Sequence, residues 1–219
     1  MPAALGGGVG DQPLDRLLAA ALYREQNITY AQSLSFIRSI TVEQKRELIQ
    51  CLLGIPDPHT IPARELENVN FTFDLLLDQG AYFEVKRHRM MTQTPQALTT
   101  RLGYCLPAMV RSAGFEQDYT RAMETAAKTY EKLAAWNPQV ASYVVPNGYN
   151  RRVLAAFNLR EAFHFCQLRS AANAHYSIRR IALRMAEEIR RVHPLLSRYL
   201  SLPEKDSWQS IEQEHFSSC

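Results

Sequence analysis

RRVLAAFNLREAFHFCQLR, from Arg151 to Arg169, is the stretch on which the fold turns. Its first half, RRVLAAFN, reads as a strand. Asn158 then caps a helix reaching to about Arg169, and Glu161, three residues on, completes a capping box. Arg160 and His164 stand four apart on that helix and share a face, with Gln167 three further on. Ala162, Phe163, Phe165, Cys166 and Leu168 supply its apolar sides. A stripe of Arg, His and Gln on so apolar a helix needs partners, because burying it unpaired is costly. Water, a buried acid or a ligand would each serve. Arg169 falls where the helix ends and would project toward whatever the loop Ser170–Asn173 covers.

Upstream, VNFTFDLLLD alternates Val69, Phe71 and Phe73 with Asn70, Thr72 and Asp74, the period of a half-buried strand. After Gln79-Gly80, AYFEVKRHR predicts a helix ending in positive charge, favourable at the negative end of its dipole. MMTQTPQALTTRLGY reads as a polar loop with one proline. Phe115 to Trp136 predicts a long helix with a stripe through Tyr119, Met123, Ala126, Tyr130 and Leu133, ended by Asn137-Pro138.

Nearer the start, Leu14, Leu17, Leu18, Ala21 and Leu22 share a helical face, with Asp11 as cap. A short helix covers Tyr30 to Arg38. Thr41 to Gln44 has capping-box spacing before Leu48, Ile49, Leu52 and Leu53, and Gly54 with Pro56 stops that helix. The prolines between Ile55 and Pro62 make an irregular loop. Downstream, a helix over Ala174 to Val192 closes at His193-Pro194, with His193 interacting with the helix dipole. Helices with a few strands far apart in sequence give an α+β fold, not regularly alternating α/β.

The chain has 219 residues, 46% of them hydrophobic and 21% charged, a globular balance. That length allows one sizeable core, assigned to residues 11–200, with a frayed GGGVG-containing tail over 1–10 and a C-terminal tail over 201–219 in which Trp208 to Cys219 carries no readable chemistry. No apolar run is long enough to span a bilayer, and Met1–Gly10 lacks the pattern of a secretory signal. Cys51, Cys105, Cys166 and Cys219 form no CxxC pair; apolar neighbours favour buried free thiols at Cys51 and Cys166, which fits a reducing cytoplasm. Histidines 59, 88, 164, 175, 193 and 215 nowhere adopt metal-ligand spacing. A net charge of +3 is too mild to imply nucleic-acid binding. In RRIALRMAEEIRRVH, Glu187 and Glu188 interrupt Arg179, Arg180, Arg184, Arg190 and Arg191, which favours a solvated helix face.

KRHR, Lys86 to Arg89, admits two readings: a solvated helix end paired to acids, or a clamp for a phosphate or flavin diphosphate, which the planar fork of arginine suits. RHR, a Ser/Thr-rich loop, and much later N-x-R-x-x-x-H-F-x-x-L-R-x-x-x-x-A-x-x-x-I-R together resemble the flavin-dependent thymidylate synthases. VNFTFDLLLD, the YVVPNGYNRRVLAAFN approach and the loop with His59 and Pro62 extend the resemblance, which runs from about Leu14 to Tyr199.

The resemblance implies a central, mostly antiparallel sheet with flanking helices and a cytoplasmic homotetramer whose sites are shared between subunits. It implies methylation of dUMP to dTMP with methylenetetrahydrofolate, NADPH and FAD. Arg87, His88 and Arg89 would contact FAD, with Asn158, Arg160 and His164 on the flavin side of the later helix. Arg152, Thr99, Arg101 and Arg169 would hold dUMP, Arg169 at the uracil ring as the catalytic residue. Membrane, nucleic acid and metal have no part in this reading.

The family's loop runs close to x-x-S-x-N-E-x-S-x-R-Y, whereas this chain has Thr94-Pro95 in place of Asn-Glu and Ala97 at the second serine. Two inserted residues bring Thr99 and Arg101 to the Ser and Arg positions but supply no glutamate. The alternative is therefore a degenerate paralogue that keeps the flavin and nucleotide cleft, as a partner subunit in a hetero-oligomer or as half of a tandem protein.

Overall fold

The computed structural model describes residues 4–5, 12–54, 61–197 and 199–218. Its strands are β1 (Ala4–Leu5), β2 (Asn70–Asp78), β3 (Thr92–Pro95), β4 (Leu106–Pro107), β5 (Asn150–Asn158) and β6 (Phe216–Ser218). Its helices are α1 (Pro13–Glu25), α2 (Tyr30–Ser39), α3 (Val42–Leu53), α4 (Gln79–Val85), α5 (Ala108–Ser112) and α6 (Glu116–Trp136), followed by α7 (Pro138–Ala141), α8 (Leu159–Ser170), α9 (Tyr176–Val192), α10 (Pro194–Ser197) and α11 (Trp208–His215). The main sheet is antiparallel in the order β1-β2-β5-β3, and β4 pairs separately with β6. The fold is α+β.

β2 and β5 pair along their whole length, Asn70 opposite Asn158 and Asp78 opposite Asn150. Period-two alternation sends Phe71, Phe73, Leu75 and Leu77 of β2 and Val153, Ala155 and Phe157 of β5 into the core. Phe73 stacks on Phe157 at 5.6 Å. The inner face shares one hydrophobic core with α1, α8 and α9, including Leu17, Phe165, Ile178 and Met185. The opposite face stays open: Leu154 is 41% exposed, and Arg152 reaches across the register to Asp74 at 2.7 Å. α6 packs apart from this core, where Met123 and Tyr130 meet Val145 and Tyr149.

Several local expectations are met by capping chemistry. Thr41 and Gln44 make both halves of a capping box at α3, and Gly54 closes that helix at φ 65°, a backbone state that favours glycine. Others are corrected. α1 starts after Gln12 with Pro13 in its first turn; the expected cap Asp11 lies outside the described residues. α4 stops at Val85, so Lys86–Arg89 forms the turn beyond the helix. The segment read as a loop contains β3, because Thr92–Pro95 pairs with Val153–Ala156 at the sheet edge, where a proline is tolerated. α9 begins at Tyr176, with His175 as its cap. Cys51 is exposed, not buried, whereas Cys166 is buried; Cys105 is disulfide-bonded.

The solvated basic face expected on α9 is confined to exposed Arg190 and Arg191 at its end. Arg180 is buried against Glu212 and the Phe216 ring, Arg179 pairs with Asp206, and Arg184 lies over Trp208. Its partners come from the C-terminal residues, which form α11 and β6; desolvation pushes the Arg180 pKa down.

Candidate functional site

Both long strands hand the chain directly to a helix through a capping side chain. Asp78 Oδ1 accepts from the Ala81 backbone N–H at 2.8 Å, and Asn158 Oδ1 accepts from that of Glu161 at 2.9 Å. Because the strands are antiparallel, the two helices start from opposite ends of the sheet. The turn after α4 thereby comes to rest on the flank of α8.

His88 in that turn is 4% exposed. Glu161, Phe165 and Arg169 stand at i, i+4 and i+8 on α8, so they share one face. The His88 ring lies edge-on to Phe165 at 4.9 Å, with Nδ1 2.7 Å from Glu161 Oε1 and Nε2 2.9 Å from Arg169 Nε. Glu84 of α4 receives Arg169 Nη1 at 2.5 Å, and its other oxygen lies 3.7 Å from Arg87. The turn is tied down by Gln93 of β3, whose amide donates to the carbonyls of Val85 and His88 at 3.0 and 3.2 Å.

The capping box expected at α8 is only half made. Asn158 caps Glu161, but the Glu161 carboxylate turns to His88. Glu84, Gln93 and Glu161 are thus site residues that the sequence reading missed.

Next to this cluster, Asn158, Arg160, His164 and Gln167 line a cleft of about 280 Å³, joined by Glu67 and Met90. The polar stripe of the α8 sequence does converge on one space. Arg160 donates from Nε to the Pro62 carbonyl and from Nη1 to Glu67, both at 3.1 Å, so a half-buried acid and a backbone oxygen answer part of its need. His164 lies 5.5 Å from the His88 ring, which connects the cleft to the buried cluster. Arg87 and Arg89 are exposed in the adjoining turn. His59, expected in the neighbouring loop, lies outside the described residues.

The other expected substrate residues have partners outside the α8 cluster. Arg152 is on the open sheet face with Asp74. Arg101 makes a two-pronged ion pair to Glu131 of α6 at 3.1 and 3.2 Å, and Thr99 Oγ1 accepts from the Arg101 backbone N–H. Among the described residues no group of His, Cys, Asp and Glu could hold a metal ion, and no helix is long and apolar enough to cross a membrane.

The fold is antiparallel α+β, with the RHR turn set against α8. The model of the thymidylate synthase complementing protein family matches residues 13–195, and the chain belongs to that family. A UPF0159 protein of Chlamydia muridarum is 37% identical over 189 residues, 85% of this chain and 36% of that protein. A UPF0159 protein of Thermoplasma acidophilum is 35% identical over 139 residues, 61% of this chain and 27% of its own length. The flavin-dependent thymidylate synthase of Saccharolobus solfataricus is 44% identical over 142 residues, 61% of this chain and 55% of that enzyme. This chain spans about a third of the length of the UPF0159 relatives.

Proposed function

We propose that this chain is a flavin- and nucleotide-binding unit of a flavin-dependent thymidylate synthase, which methylates dUMP to dTMP with methylenetetrahydrofolate and NADPH. The observation that carries the reading is the Asn158–Arg160–His164 cleft set against the His88–Arg169 cluster, in a chain of this family.

The side chains present fit FAD. With Asn158 Oδ1 used as a cap, its amide nitrogen remains a donor; Arg160 adds N–H groups and His164 either a donor or an acceptor. That set suits the edge of a flavin ring, where carbonyls and ring nitrogens alternate. A cleft of about 280 Å³ is at the small end of ligand cavities, which start at roughly 300 Å³, so it takes a ring and not a whole dinucleotide. Exposed Arg87 and Arg89 are the groups suited to a diphosphate beyond it. His88, with both ring nitrogens engaged, supports them from behind. Bound flavin supplies the redox chemistry; the chain's share is to hold the ring and orient the nucleotide.

Arg169 is the proposed uracil-side and catalytic residue. Arg152 is held by Asp74 on the open sheet face and Arg101 by Glu131 of α6, so in this reading a complete dUMP site takes residues from more than one copy, as in a homotetramer. A second reading has support in the same residues. Arg101 and Arg152 are already engaged by Glu131 and Asp74, and Pro95 stands in β3. A unit so built would keep the flavin cleft and work as a paralogous partner of an active chain, or as part of a tandem protein.

Turnover of dUMP with NADPH and methylenetetrahydrofolate in the FAD-loaded chain, abolished by Arg169→Ala, supports the first reading. Activity only on mixing with a complete synthase supports the second. Failure in both settings, with flavin bound, rules out both.

A further inference from the structure

We propose that Glu161 is a positioning residue for Arg169, acting through the tautomer of His88. Its functional meaning rests on the reading of Arg169 as a substrate-facing group.

The argument begins with donors and acceptors. A guanidinium has no acceptor, so Arg169 Nε–H, 2.9 Å from His88 Nε2, needs a lone pair there. An imidazole with its lone pair on Nε2 carries its proton on Nδ1. Nδ1 in turn faces Glu161 Oε1 at 2.7 Å, an acceptor for that proton. The opposite tautomer would set two N–H groups against each other at Arg169 and a lone pair against the carboxylate at Glu161. A doubly protonated ring would also lose the Arg169 bond. His88 and Glu161 are 4% and 7% exposed, so solvent does not substitute for either partner.

Packing completes the lock. Phe165, edge-on to His88, holds the plane of the imidazole. Glu84 fixes a second corner of the guanidinium through one Nη1 N–H, so Arg169 is held at Nε and Nη1 while the second N–H of Nη1 and both of Nη2 remain to face a ligand. A helix-capping carboxylate needs none of this geometry; Glu161 gives up the second half of the capping box to make it.

The test is nitrogen-15 NMR of the full chain, reading the His88 ring nitrogens and the Arg169 Nε–H, in the wild type and in Glu161→Gln. A glutamine keeps the volume but loses the charge and can offer His88 a donor as well as an acceptor, so Arg169 alone is left to select the tautomer and the selection weakens. We expect a wild-type His88 protonated at Nδ1 alone and a slowly exchanging Arg169 Nε–H. In Glu161→Gln we expect mixed tautomers and Nε–H exchange faster by about tenfold, the worth of one hydrogen bond. A wild-type His88 protonated at Nε2 overturns the proposal without any variant. So does a variant in which Arg169 stays equally protected. Titrating dUMP into the same samples separates the two claims. A wild type that shows the lock but ignores dUMP contradicts the substrate reading and leaves the positioning role in place; a wild type that binds dUMP without the lock does the reverse.

Discussion

Cys166 and Cys51 are both free thiols, and their surroundings set them apart. Cys166 is buried on α8, and desolvation pushes its pKa up to about 12. At about pH 8 only roughly one such thiol in ten thousand is the reactive thiolate. Alkylation of the native chain is therefore expected at exposed Cys51 and not at Cys166, which reacts only after unfolding; peptide mapping checks this. Spacing alone revealed Arg160 and His164, since residues four apart on a helix must share a face. Glu161 escaped because its place three residues after Asn158 already had an explanation in helix capping. Glu84 and Gln93 escaped for a different reason. Each is fixed by a partner brought in by folding, or by a turn that no periodicity announces.

Strong periodicity made the long elements legible: β2 alternates, and α6 and α9 carry apolar stripes. β3 was hidden because a short edge strand of Thr, Gln and Pro has no apolar side to alternate, and only pairing with β5 makes it a strand. The same contrast appears at the end of α9. Sequence suggests that His193 complements the helix dipole, which would favour its charged form. In the fold its ring lies edge-on to Phe71 at 5.6 Å, and burial pushes its pKa below the ordinary 6.5. The native state thus binds a proton less readily than the unfolded chain. This contribution to stability is present above about pH 6.5 and is lost as pH falls through the depressed folded value. Urea midpoints measured from about pH 8 to about pH 5 should fall more steeply for the wild type than for His193→Asn; parallel curves would contradict it.

At the scale of the molecule, one sheet separates two sets of groups. Its inner face carries the core and α8, and with α8 the cleft and Arg169; its open face carries Arg152, Asp74 and exposed Leu154. The sequence resemblance implies that Arg152 and Arg169 both hold dUMP at a site shared between subunits, and strand alternation puts Arg152 on the face opposite the core. That opposition is the physical ground for proposing a dUMP site shared between copies. The central claim remains that the α8 cleft holds flavin beside a nucleotide. The most direct measurement is the visible absorbance of the FAD-loaded chain, with dUMP then titrated in. A flavin band that Arg160→Ala removes, and whose shape changes with dUMP, is the predicted result. A chain that takes up no flavin in any assembly state, or whose bound flavin is untouched by Arg160→Ala, would contradict it.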